Sequence, residues 1–101
     1  MSARVIIIGD PGAIPVPDRA IVLDTDDVPA ADLLANAVKM RPDIIRIGGY
    51  WCEHVCGAGL WRVGRVAVTD DCSGYSISTL AWTPSAGLQA TLAGLYRAVI
   101  A

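Results

Sequence analysis

The sequence predicts an α/β fold: a small mixed β-sheet of about five strands with one βαβ unit, a β-hairpin and a C-terminal helix. Three observations carry this. Short β-branched runs end in turn residues at Arg4–Gly9, Ala20–Leu23 and Asp43–Gly48. A twelve-residue segment with helical apolar spacing separates the second run from the third. Two further strand-like runs, 61–69 and 75–82, are joined by Asp70-Asp71-Cys72-Ser73-Gly74. At 101 residues the expectation is one domain spanning 1–101.

Arg4–Gly9 reads as a strand buried on both faces, because its apolar residues are continuous rather than alternating. Pro11, Pro15 and Pro17 forbid a helix up to residue 18. Ala20–Leu23 reads as a second buried strand. A helix follows, with Asp26 or Asp27 as its cap and Pro29 in its first turn. Ala30, Leu34 and Val38 line its apolar face beside Leu33 and Ala37, while Asp32, Asn36 and Lys39 form a polar stripe. Pro42 stops it, and Asp43–Gly48 is the third strand, parallel to the second. Residues 49–60 read as a loop, because Gly49, Gly57 and Gly59 surround Tyr50–Cys56. The two later runs predict an antiparallel hairpin. Thr83-Pro84 opens a last helix, with Leu88, Leu92, Leu95 and Val99 as its core stripe.

Composition excludes several classes. The chain is 53% hydrophobic and 18% charged, with a net charge of −2. It is too apolar for a disordered chain. It has no apolar run long enough to span a bilayer, so no membrane partner is expected. No basic face is evident, so nucleic acid is not the expected partner. The apolar stretch at the start is too short for a signal peptide, which gives a cytoplasmic expectation. Seven Arg against one Lys, with abundant Ala and no Phe, suggests a GC-rich bacterial genome or its phage. A domain of this size buries only roughly 60–65% of its unfolded surface. So many apolar residues therefore predict a partner surface.

Three constellations are candidates for chemistry. All three Cys and the single His fall between residues 52 and 72, with the only Glu among them. Cys52, His54, Cys56 and Cys72 make a Cys3His set of the kind that holds structural zinc, which makes zinc the candidate cofactor. The first three share a face in a strand, whereas in a helix His54 points away from the two Cys. The competing expectation is partly buried thiols beside a surface histidine. Trp51-Cys52-Glu53-His54-Val55-Cys56 after a buried strand also resembles the Trp-Cys-x-x-Cys site of the thioredoxin family, which implies a redox thiol. Here three residues separate the Cys pair, and Gly57 and Gly59 stand where that family continues a helix.

The second constellation is acidic: Asp10, Asp24, Asp26, Asp27, Asp70 and Asp71 end strands. Ile21–Asp26 resembles the motif of the haloacid-dehalogenase-type phosphatases, a buried strand followed by Asp-x-Asp. That resemblance implies Mg²⁺-dependent phosphoryl transfer, with Asp24 as nucleophile and Asp26 as general acid. The Thr that follows in that family is replaced by Asp27-Val28, and Gly48-Gly49 stands where it has Ser or Thr. Helix capping is the simpler role for Asp26 and Asp27. Arg41–Ile45 is similar to a stretch in receiver and cobalamin-binding domains, marking a helix that ends before a buried parallel strand. Gly9–Gly12 reads as a turn.

The third constellation is aromatic. Tyr50, Trp51, Trp61, Tyr75 and Trp82 lie between residues 50 and 82. Tyr75 and Trp82 are expected in the core, and Tyr50 and Trp51 at a binding surface. The leading functional expectation is a non-catalytic, oligomeric binding or accessory protein whose face is built from Tyr50, Trp51, Glu53, His54 and Trp61. The alternatives are the Cys/His site and the Asp24/Asp26 site. The C-terminal helix carries only Arg97 as a charged residue, and Ala86, Ala90, Ala93, Gly94 and Ala98 give it a second apolar face. That predicts a homo-oligomer through this helix. A protein partner is the other expectation.

Overall fold

In the computed structural model, residues 4–12, 14–26, 28–55, 59–71 and 74–95 are described. They form one mixed six-stranded sheet in the order β2-β1-β3-β4-β5-β6. The strands are β1 (Val5–Ile8), β2 (Ile21–Leu23), β3 (Ile44–Ile47), β4 (Tyr50–Val55), β5 (Leu60–Val68) and β6 (Tyr75–Pro84). Helix α1 spans Ala30–Lys39, and α2 spans Leu88–Leu95 after a 3-10 turn at Ser85–Gly87. No helix among them is long and apolar enough to cross a membrane.

The unbroken Ile run of β1 has the predicted consequence. All four residues are buried, with parallel neighbours on both sides. The chain leaves β1 through Gly9, whose φ of +83° is a glycine conformation. It returns along the outer side as β2. This strand is a correction to the sequence reading: it lies at the sheet edge and Val22 is half exposed. A short apolar run shows its length and β-branching but not how many neighbours it will have.

Helix α1 connects β2 to β3 as predicted. Ala30, Leu34 and Ala37 are buried, with Leu33 and Val38 packed beside them. Asp32, Asn36 and Lys39 are exposed. The capping expectation for Asp26 fails, because the residue at the cap position is Pro29 and no side chain caps the helix. The Asp26 backbone N–H instead donates to Asp24 Oδ1 at 2.9 Å, closing a local turn. Asp27 lies outside the described residues. The helix ends before Pro42, with Arg41 in the left-handed region at φ +53°.

The largest departure is β4. The predicted loop at 49–60 contains a six-residue strand, paired antiparallel with β3 and β5. Gly48, at φ +56°, and Gly49 form a two-residue turn, so the glycines mark a hairpin and not an irregular stretch. The predicted β5–β6 hairpin is present. Val63 pairs with Ala81 and Gly64 with Thr79, which leaves Leu80 as the extra residue of a β-bulge. Thr83 does not cap α2, since the strand continues to Pro84 and a 3-10 turn precedes the helix.

Alternation then divides the side chains. Ile6, Ile8, Ile45, Ile47, Cys52, Trp61 and Val63 point to the helix side and pack with Leu34, Ala37, Leu88 and Leu92. The in-between residues point to the opposite side. There the Pro-rich segment crosses over β3, and Arg46, only 4% exposed, holds it. Its Nη1 donates to the carbonyl of Pro15 at 2.8 Å, and its Nη2 to those of Pro11 and Ile14 at 3.1 and 3.3 Å. Further along this side the sheet is open.

Candidate binding surfaces on the two sides of the sheet

The residues predicted to share one binding loop are parted by the pleat of β4. Tyr50, Cys52 and His54 face the helices, while Trp51 and Glu53 face the open side. Trp61, opposite His54 on β5, also belongs to the helix side.

On the helix side, Cys52 is fully buried. Loss of solvation pushes its thiol up to about 12, which makes it a poor nucleophile at neutral pH. His54 shares its face and lies at the sheet margin. Its ring is 5.1 Å from that of Trp61, tilted by 48°. Trp61 is buried, and its Nε1 donates to Ser85 Oγ at 2.7 Å, which satisfies the one polar atom that burial of an indole would strand. The His54 N–H donates to the Asp43 carbonyl at 2.9 Å, and Asp43 Oδ2 accepts from the Arg4 N–H at 2.8 Å. These bonds fix the walls of a cleft of about 320 Å³ lined by Val38, Arg41, Pro42, Asp43, His54, Trp61 and Ser85. The sequence reading found His54 and Trp61 but missed Asp43, Ser85 and Arg41. No sequence signal pointed to them: Arg41-Pro42 marks only the end of a helix, and the left-handed backbone of Arg41 is visible only in the structure.

The open side gathers a different set. Arg46 lies directly across from Trp51, with its guanidinium carbon 5.8 Å from the indole centroid. Trp51 stands across from Gly64 on β5, and its ring reaches Tyr75 on β6, 5.8 Å between centroids. The Trp51 Nε1 is buried without a hydrogen-bond partner among the described residues. Next along, Glu53 pairs with Arg62 at 3.8 Å, and Arg62 Nε donates to Thr79 Oγ1 at 2.6 Å. Trp82, across from Arg62, is 56% exposed, and Tyr75, across from Val68, is 43% exposed. The expectation of a core position for Tyr75 and Trp82 is thus overturned. Both lie on the last strand of the sheet, on the side that no helix covers.

The remaining candidates do not converge. Cys56 and Cys72 lie outside the described residues. Among the described residues, no three His, Cys, Asp or Glu side chains are grouped to hold a metal ion. Asp24 and Asp26 are exposed, and Asp10 Oδ1 accepts from the Gly12 N–H at 2.9 Å as a turn acceptor. Asp70 and Asp71 are exposed in the β5–β6 turn. On α2, Leu88 and Leu92 are buried as predicted, while Ala90 and Gly94 are exposed. Val99 and Ala98 lie outside the described residues. Comparison with known proteins found no matching family model, no matching curated protein and no matching solved structure.

Proposed function

We propose that this chain is a non-catalytic binding or accessory protein of the cytoplasm, working as an oligomer, that recognises a protein partner through the open side of β4–β6. The observation that carries this is the exposure of Tyr75, Val68 and Trp82 on the side of β5–β6 that no described helix covers, with Trp51 set between Arg46 and Tyr75. Large aromatic side chains on a rigid strand lose little entropy on binding, and Trp and Tyr are common interface anchors. An apolar patch on so small a chain is otherwise a liability in water. Nucleic acid fits this surface poorly. Arg46 is buried against carbonyls and Arg62 is paired with Glu53, which leaves few charges for phosphates.

Selection of peptides from a random library on the purified protein tests this. The selected peptides should lose binding by about tenfold or more on Trp82→Ser or Tyr75→Ser. They should bind the His54→Ala variant unchanged. Peptides that depend on His54 and Ser85 but not on Trp82 or Tyr75 would move the binding site to the cleft. The zinc or redox alternative rests on Cys52, His54, Cys56 and Cys72, and burial of Cys52 weighs against it. About one zinc per chain, lost on Cys56→Ser, would restore it. The phosphoryl-transfer alternative requires an Mg²⁺-dependent phosphatase activity that disappears on Asp24→Asn.

A further inference from the structure

The cleft on the helix side takes no part in the proposed partner surface, which lies on the other side of the sheet. Its volume of about 320 Å³ falls at the lower end of the range for small-ligand sites, roughly 300–1,000 Å³. Hydrogen bonds hold its walls. The Asp43 N–H donates to the Arg4 carbonyl at 2.9 Å, while Asp43 Oδ2 accepts from the Arg4 N–H at 2.8 Å. His54 and Trp61 are cross-strand partners, and Trp61 is anchored through Nε1 to Ser85 Oγ. Yet each polar group keeps an unused capacity. Ser85 Oγ accepts from Trp61, which leaves its O–H to donate. The His54 imidazole and Asp43 Oδ1 have no hydrogen-bond partner among the described residues. Arg41 and Asp43 are two residues apart, but they form no ion pair with each other or with any other described residue. Arg41 also stands at φ +53°, a conformation that glycine adopts without strain, so a cationic side chain is kept here at a cost in stability.

We propose that this cleft binds a free α-amino acid with an apolar side chain. This goes beyond the partner-binding reading and does not depend on it. Asp43 takes the ammonium group and Arg41 the carboxylate, with the Ser85 hydroxyl and a His54 N–H as the further donors of the same cleft. An imidazole offers at least one N–H in either protonation state. The apolar side chain lies against Trp61 and Val38. The charges of the lining select this class. A simple anion is repelled by Asp43 and a simple cation by Arg41, whereas a zwitterion meets an opposite charge at each. A cationic side chain such as that of lysine adds a second positive charge beside Arg41, with no second carboxylate in the cleft to meet it.

The test is titration of the full chain with leucine, followed by the NMR signals of the Trp61 indole N–H and the Arg41 and His54 amides. Leucine should shift them saturably at millimolar concentration or below. 4-Methylpentanoate, which lacks the ammonium group, and leucinamide, which lacks the carboxylate, should each bind the wild-type chain about tenfold or more weakly than leucine does. Asp43→Asn keeps an acceptor for the Arg4 N–H and should weaken leucine by about tenfold or more, while 4-methylpentanoate binds it no worse than it binds wild type. Arg41→Gln should weaken leucine to the same extent and leave leucinamide unchanged. An unchanged circular dichroism spectrum shows that each variant still folds, and the comparison of the three compounds on the wild-type chain needs no variant. No saturable shift with leucine overturns the proposal. So does either analogue binding wild type as tightly as leucine, or a set of shifts that spares Trp61 and His54 and falls on Tyr75 and Trp82. None of these results alters the peptide selection on the open side, so the two proposals fail separately.

Discussion

Arg46 and Trp51 stand directly opposite each other across the β3–β4 ladder, and the guanidinium lies 5.8 Å from the indole centroid. Arg46 therefore joins two parts of the molecule. Its nitrogens hold the Pro-rich segment through the carbonyls of Pro11, Ile14 and Pro15, and its face supports the first aromatic of the open side. Burial holds its pKa below the ordinary guanidinium value, with Tyr75 opposing that shift. Replacing it with Met keeps much of the volume and removes the donors. Arg46→Met should cost about 2–3 kcal/mol in chemical denaturation. It should also make residues 11–18 sensitive to proteases. An unchanged denaturation midpoint would mean that the segment is held by its own prolines.

Gly64 gives room to the same surface. A Cβ there would lie 2.6 Å from Ile77 Cγ2 and 2.9 Å from the Ser78 carbonyl oxygen, at the bulge. The second of these contacts is with backbone, which cannot rotate away. Gly64→Ala should destabilise the fold by about 1–3 kcal/mol, read from the thermal midpoint. It should also change the Trp51 fluorescence, because the indole lies across the ladder from Gly64.

Cys52 makes a pH-dependent prediction. Its folded pKa is raised to about 12 from 9.0 by burial. Its contribution to stability is therefore complete below pH 9 and is lost as pH rises toward 12, because only the unfolded chain releases the proton in that window. The slope should be at most about 1.4 kcal/mol per pH unit, and it should be smaller in Cys52→Ala. In the native protein at neutral pH, Cys52 should resist iodoacetamide, as followed by peptide mass. Fast alkylation without unfolding would contradict its burial.

Arg41 pays for a left-handed backbone at the end of α1. Glycine adopts this conformation without the Cβ penalty. Arg41→Gly should raise stability by about 0.5–1 kcal/mol, measured by urea denaturation. A loss of stability would show that the Arg41 side chain makes a compensating contact at the cleft.

Sequence alone determined the local elements whose pattern has one interpretation. The continuous run at Val5–Ile8 became a strand buried on both sides. The 3.6-residue spacing from Ala30 to Val38 became α1, with its polar stripe in water. The two strands around Asp70-Asp71 became a hairpin. β4 was hidden because its side chains, Tyr-Trp-Cys-Glu-His-Val, do not alternate apolar and polar, so glycines at both ends suggested a loop. Gly48-Gly49 between two β-capable runs is equally a hairpin turn, and pairing with β3 and β5 decided for that. Tertiary structure alone decided which strands became edges and which side each helix covers. That is why β2 and Trp82 are exposed while Cys52 and Trp61 are sealed. The physical reason is that a strand's pattern sets only the alternation of its two faces. Which face meets a helix, and which meets water, depends on segments far away in sequence.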